Sequence, residues 1–105
     1  MARFAIVFPG DPPTRIIYGF DKSAVGYFLT AIKGRSRVVE YDGLCPGYAG
    51  LSGLLRALEA VDGVDTATIQ LAVDTLVEGD ADDALAEPVR AVATMVANLR
   101  RAAGE

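Results

Sequence analysis

The strand-to-helix junction that begins at position 41 and reads YDGLCPGYAGLSG has the composition most typical of a ligand site. Gly47, Gly50 and Gly53 leave backbone amides open near a helix start, and helix N-termini bind anions through such unpaired N–H groups. Ser52 adds a hydroxyl. The segment matches neither the dinucleotide nor the P-loop glycine pattern, and no lysine follows it. Our main interpretation is that small residues let the helix pack closely on the sheet; small-molecule or anion binding at residues 43–53 is an alternative.

Cysteine and histidine chemistry is restricted by the counts, because the chain has one cysteine and no histidine. Cys45 lies in the glycine-rich junction, and a nucleophilic thiol needs an adjacent base or cation, for which histidine is the usual choice. One cysteine can neither close an internal disulfide nor complete a zinc site. We therefore expect Cys45 to be a buried, inert thiol, and we expect no metal and no cofactor.

Carboxylates are the remaining candidates for catalysis or metal binding. The acidic run 78–83 fails the calcium-loop pattern, because the twelfth position counted from Asp80 is Ala91 rather than glutamate. Helix capping is sufficient to explain this run. No spacing selects a catalytic pair among the other carboxylates, which include Asp11, Asp21, Glu40, Asp42 and Asp74. Enzyme activity therefore has no positive support in the sequence.

A basic cluster lies on a short turn, where Lys33, Arg35 and Arg37 precede Tyr41. Basic side chains beside strand-borne aromatics can bind nucleic acid. The formal net charge of the chain is −4, however, which disfavours a protein whose affinity depends on phosphate neutralisation. The charge is unevenly distributed, with an excess of basic residues up to position 37 and of acidic residues between 38 and 87. We interpret the cluster as a solvated hairpin and keep nucleic-acid binding as an alternative.

The first 42 residues carry the period of two that is typical of strands. Four short runs are bounded by turn residues, and we predict strands over 3–8, 15–20, 25–32 and 36–42. In the third strand, Tyr27 and Leu29 lie on one face and Phe28 and Thr30 on the other. Residues 33–35 form a glycine-containing hairpin turn to the fourth strand.

After Gly43 the period changes to about 3.6, which predicts helices. The first helix carries an apolar stripe from Leu51 to Val61, and Gly63 ends it in a left-handed turn. Asp65 or Thr66 caps a second helix, which Gly79 follows. Its predicted inner face comprises Ile69, Ala72, Val73, Leu76 and Val77. A third helix begins at Pro88 and buries Val89, Val92, Ala93, Val96 and Leu99.

The order of strands followed by helices predicts a single α+β domain over residues 1–105: a three- to four-stranded antiparallel meander (3–42) followed by three helices packed on one sheet face. The sheet carries more aromatic surface than one helix layer needs to cover, supplied by Tyr18, Phe20, Tyr27, Phe28 and Tyr41. The first strand is apolar on both faces. Either this strand is central in the sheet, or a partner covers the second face.

We expect a small non-catalytic protein that acts by protein–protein interaction, either as a homodimer or with a regulatory partner. The expected surface is the aromatic sheet face, represented by Tyr18, Tyr27 and Tyr41, with the basic hairpin as its rim. Arginine outnumbers lysine eight to two, which suggests a GC-rich bacterial genome. No N-terminal apolar core resembles a signal peptide, and no apolar run reaches the length of a membrane span. We expect a cytoplasmic protein with no membrane association.

Overall fold

The computed structural model describes residues 2–21, 26–42, 51–79 and 85–102. Four strands come first, and three helices follow them. The strands are β1 (Ala2–Phe8), β2 (Thr14–Asp21), β3 (Gly26–Lys33) and β4 (Ser36–Asp42). The helices are α1 (Leu51–Glu59), α2 (Thr66–Glu78) and α3 (Glu87–Ala102). The predicted α+β architecture, an antiparallel meander followed by helices, is confirmed.

The sheet is a simple meander with the order β1-β2-β3-β4, and all neighbouring strands are antiparallel. Gly34 has a φ of 64°, a conformation that the tight β3–β4 turn requires and that glycine adopts without strain. The register shifts between Ala31 and Ile32, because β4 carries an extra residue, Val38, between their partners Val39 and Arg37. The two edges are β1 and β4, so the suggestion that an apolar first strand is central in the sheet is wrong.

Helices cover one face of the sheet. Helix α1 contacts β3 and β4, α3 contacts β1 and β2, and α2 packs on α3 and, to a smaller extent, on α1. The core between the layers contains fully buried side chains from both, among them Ile16, Leu29, Leu54, Leu58 and Met95. Within the described ranges, no helix is long and apolar enough to cross a membrane.

Helix α2 begins and ends as the sequence predicts. The Asp65 carboxylate accepts a hydrogen bond from the Thr68 backbone N–H at 2.6 Å, and Gly79 closes the helix in the left-handed conformation. Hydrogen bonds from the Thr68 side chain and backbone hold the pKa of Asp65 below its usual value. The cap therefore functions with the carboxylate ionised.

The inner face predicted for α2 is only partly correct. Ile69 and Ala72 are buried, but Val77 is 71% exposed and Thr75 is buried in its place. The reason is that α2 contacts only other helices. It therefore buries a narrower stripe of residues than a helix that covers a sheet. The Thr75 hydroxyl donates to the Leu71 carbonyl at 2.7 Å, which satisfies its buried oxygen.

The predicted stripe of α1 extends past the end of the helix. The helix ends at Glu59, whereas Val61 lies beyond it and is 2% exposed. Gly63 has the predicted left-handed conformation, with a φ of 87°. It lies after a short turn, however, and not directly after the last residue of the helix. Val61 and Val64 still pack into the core, and backbone hydrogen bonds from Val61 to Leu58 and from Val64 to Val61 close the turn that carries them. The inner face predicted for α3 is buried throughout.

Tyr18 connects the sheet to α3 through a buried hydrogen bond. Its side chain is fully buried, and its hydroxyl accepts from the Asn98 amide at 3.1 Å. Burial raises the pKa of Tyr18 above its usual value, and the Asn98 hydrogen bond opposes part of that rise. The folded protein therefore retains this proton at a pH where the unfolded chain loses it.

We predict that this difference makes stability fall at alkaline pH. The unfolded tyrosine ionises at about pH 10 and the folded one at a higher pH. The contribution of Tyr18 to stability is therefore fully present below about pH 10. It is lost as pH rises through the interval between the two pKa values, at up to about 1.4 kcal/mol per pH unit. Tyr18→Phe removes this component and costs about 1 kcal/mol at neutral pH. Urea denaturation between about pH 8 and about pH 11 measures both effects. Asn98→Ala is the control, because it weakens the fold but keeps the alkaline slope; an unchanged slope in Tyr18→Phe contradicts the prediction.

Candidate interaction surface on the open sheet face

The two faces of the sheet have opposite environments because side chains alternate along each strand. One face packs against the helices and carries the large apolar residues of the core. The other, which we call the open face, contacts no helix in the parts of the chain that the structure describes. Its residues are Arg3, Ala5 and Val7 on β1, Arg15, Ile17, Gly19 and Asp21 on β2, Gly26, Phe28, Thr30 and Ile32 on β3, and Arg37, Glu40 and Asp42 on β4.

The pairing register arranges most of the open face in three rows across the sheet, and the Asp21–Gly26 pair lies beyond the first of them. The first row contains Arg3, Gly19, Phe28 and Asp42. The second contains Ala5, Ile17, Thr30 and Glu40, and the third contains Val7, Arg15, Ile32 and Arg37. The centre of the face is therefore mainly apolar, and charged residues lie toward its margins.

The charged residues divide the open face into two halves, and the dividing line runs parallel to the strands between β2 and β3. The β1–β2 half has two cations, Arg3 and Arg15, and one acidic residue, Asp21 at the end of β2, so it keeps an excess of one positive charge. The β3–β4 half has one cation, Arg37, and two acidic residues, Glu40 and Asp42. Arg37 donates to the Glu40 carboxylate at 3.2 Å, so these two charges largely offset each other. One half is thus basic, and the other is weakly acidic.

Shallow depressions cover both halves. One, of about 380 Å³, lies mainly over β3 and β4, reaches Arg3 on β1, and has Ile17, Phe28 and Ile32 among its lining residues. Another, of about 490 Å³, lies over β1 and β2 beside Arg3 and Arg15. Both are wide and open, unlike the enclosed clefts that bury small ligands. Their shape suits contact with a broad surface.

The three tyrosines expected on the interaction surface lie on the other face of the sheet. Tyr18 is 0% exposed, Tyr27 8% and Tyr41 9%, and all three belong to the core beneath the helices. Their assignment to a partner-facing surface is corrected for a physical reason: the helices cover the face with the larger apolar side chains. Phe28 is the aromatic residue that β3 presents on the open face.

The basic hairpin is dispersed in the structure. The Lys33 ammonium lies 3.7 Å from the Asp62 carboxylate, on the helix side of the sheet. Arg35 is exposed in the turn, and Arg37 belongs to the open face. The three cations therefore do not form one phosphate-binding cluster.

The glycine-rich junction is described only at its end. Gly47 and Gly50, together with Cys45, lie outside the described residues. Ser52 is exposed on the first turn of α1. Gly53 faces Tyr41 so closely that a Cβ built on it lies 2.7 Å from the tyrosine Cζ and nearer still to the hydroxyl. A glycine at 53 is thus explained by close helix–sheet packing.

The carboxylates considered for catalysis or metal binding are not gathered in the described parts of the chain. Residues 80–83 lie outside these parts, and no group of three potential metal ligands occurs within them. Asp74 accepts from the Gln70 amide at 2.8 Å on the surface of α2. Glu40 and Asp42 share the open face as neighbours along β4.

The functional candidates that sequence reasoning missed are Arg3, Arg15, Ile17 and Ile32, whereas Glu40 and Asp42 were considered only as catalytic carboxylates. A signal for them was present, because the charged residues Arg3, Arg15, Glu40 and Asp42 occupy alternate positions that share one face in each strand. Charge is rarely buried, so this parity marks the face that helices leave uncovered. Aromatic content, in contrast, indicated the covered face.

No family model matches this chain, and comparisons with curated proteins and with solved structures also found no match.

Proposed function

We propose that this protein acts by protein–protein interaction and that a second copy of the chain binds its open face. The observation that carries the proposal is the four-stranded sheet with helices on one face and a mainly apolar centre on the other. Val7, at the margin of this face, is 60% exposed, and Ile17, Phe28 and Ile32 are each partly exposed. Apolar surface of this kind, surrounded by charged residues, is typical of protein interfaces.

The size of the face sets the expected strength of association. Four strands at about 4.8 Å spacing and seven residues at about 3.3 Å give a footprint of roughly 450 Å² per protomer. Two such footprints, roughly 900 Å² together, lie below the size of stable specific interfaces and among the sizes of weak, transient ones. The dimer is therefore a reversible one that forms in the micromolar range, and both species are present in a concentration series.

Nucleic-acid binding on the same face is the less favoured function. Arg3, Arg15 and Phe28 supply cations and a stacking surface, but Asp21, Glu40 and Asp42 place three negative charges on the same face. The bacterial and cytoplasmic setting belongs to the proposal as well. It is supported by the arginine-rich composition and by the single cysteine.

We predict that the weight-average mass rises with concentration from 11.0 kDa toward twice that value. Sedimentation equilibrium from about 5 μM to about 500 μM measures the rise. Ile17→Lys places a charge at the centre of the open face and weakens association by at least about tenfold. Leu71→Lys is the matched control, because Leu71 is 48% exposed on α2 and lies on the opposite side of the protein from the open face.

A protein that stays monomeric over this range overturns the proposal. Association that survives Ile17→Lys also overturns it, since the contact then lies elsewhere, for example at the edge of β1. Retention on an oligonucleotide at about 50 mM salt, lost as salt increases, supports the nucleic-acid alternative instead.

A further inference from the structure

We infer that two copies pack face to face about a two-fold axis that runs nearly parallel to the strands, between β2 and β3. This inference rests on the proposed function and specifies which residues meet. Such an axis places β1 of one protomer over β4 of its partner and β2 over β3. Each row of the open face then lies over the same row of the second copy.

Charge selects this axis over the other simple choice. With the axis along the strands, the basic β1–β2 half lies over the weakly acidic β3–β4 half of the partner. With the axis across the strands, each half lies over its own copy, so basic faces basic. Opposite potentials across an interface favour association, and like charges that face one another oppose it. The open face is therefore self-complementary only in the first arrangement.

The register then gives specific pairs. In the first row, Arg3 lies opposite Asp42 of the partner subunit, and Phe28 lies opposite the partner's Gly19. Glycine has no side chain, so no Cβ projects from the backbone at the position that the aromatic ring of the other copy faces. In the second row, Ala5 lies opposite the partner's Glu40. Each contact occurs twice because the interface is isologous.

The dimensions of packed sheets allow these pairs to form. Aligned sheets cross at about 30°, which displaces the outer strands by about 4 Å at their distance from the axis. The long arginine side chain spans that displacement. Within one protomer, the Cα atoms of Arg3 and Asp42 lie on opposite edges of the sheet, about 14 Å apart, and both side chains line the same depression.

This pairing is tested by mixing two charge-reversal variants. Arg3→Glu places a carboxylate opposite Asp42 in both contacts, and Asp42→Arg places a guanidinium opposite Arg3 in both. Each variant alone therefore associates roughly tenfold to a hundredfold more weakly than the unmodified chain.

Mixing the two variants restores opposite charges at both contacts. In the mixed dimer, the introduced glutamate of one protomer lies opposite the introduced arginine of the other, and the second contact keeps the native Arg3 and Asp42. A one-to-one heterodimer therefore forms with an affinity close to that of the unmodified chain. Sedimentation of each variant alone and of the mixture measures the difference.

Ala5→Arg is an independent variant at an exposed position. With the axis along the strands it faces the partner's Glu40 and tightens association about threefold or more. With the axis across the strands it faces its own copy and weakens association. Circular dichroism at dilute concentration checks that every variant is folded.

The outcomes separate this inference from the function on which it rests. If Ile17→Lys disrupts the dimer but the mixture of charge-reversal variants does not restore it, the open face remains the interaction surface. The two-fold arrangement is then overturned. Weakening by Ala5→Arg overturns it too. An unmodified chain that never associates removes both proposals together. Recovery in the mixture with tightening by Ala5→Arg establishes the arrangement.

Discussion

Leu29→Ala is expected to lower the free energy of unfolding by about 2–5 kcal/mol, the range measured for fully buried leucines. Leu29 is 0% exposed at the centre of β3, and it faces the helix layer. Truncation leaves a cavity that the surrounding sheet and helices close only in part. A loss of this size is a large part of the stability of a small domain.

Phe28→Ala is the matched comparison, because it removes a larger side chain one position away on the same strand. Phe28 is partly exposed on the open face, so we expect less than half of the loss seen for Leu29 when unfolding is measured on dilute monomer. The effects on association at high concentration have the opposite order, because Phe28→Ala weakens association more than Leu29→Ala does. Urea unfolding and sedimentation of both variants measure the two effects. Equal destabilisation by the two substitutions would falsify the assignment of the faces.

Gly53→Val is expected to destabilise the protein by about 2 kcal/mol. A Cβ at this position lies 2.7 Å from Cζ of Tyr41, and that ring is 9% exposed between β4 and α1. The ring has little room to move, so the helix has to shift outward. Replacing glycine inside a helix by alanine gains up to about 1 kcal/mol in helix propensity, which partly offsets the clash for Gly53→Ala and much less for valine.

The clash is separated from other effects by a double-mutant cycle. Tyr41→Phe removes the hydroxyl that lies nearest the new Cβ, so Gly53→Ala costs less in the Tyr41→Phe background than in the unmodified chain. Ser52→Ala is the control for helix propensity, because Ser52 is exposed on the neighbouring position of α1. Thermal unfolding of this set measures the coupling. A stabilising Gly53→Val, or the absence of coupling to Tyr41, contradicts the packing account.

Most of the fold was predictable because its signals are local. The glycine at 34 indicated a tight hairpin, and the alternation of Tyr27 and Leu29 against Phe28 and Thr30 indicated the two faces of β3. The Asp65 cap and the Gly79 terminus defined α2 within a residue. The predictions of the length of α1 and of the inner face of α2 were less accurate, since neither property depends on the hydrophobic period alone. They depend on which neighbour a helix contacts, as Val77 and Thr75 show.

The candidate site was predictable only in part, because the choice between two apolar sheet faces is not local. Period two separates Tyr18 from Ile17 but does not say which of them meets a helix. That choice depends on total volume: the face with Tyr18, Tyr27 and Tyr41 fills the space beneath α1 and α3, and the opposite face has smaller side chains interrupted by arginines. The expectation of an interaction surface thus moves to the other side of the same strands.

By itself, the sequence determined the class of fold, the strand boundaries to within a residue or two and the parity of each strand. These follow from spacing, turn residues and composition, which act over a few positions. Only the tertiary structure decided which parity is covered, that β1 is an edge strand, and that Arg3 and Asp42 occupy one row at opposite edges. These depend on strand pairing and helix packing between residues far apart in sequence, for which no short pattern carries the information.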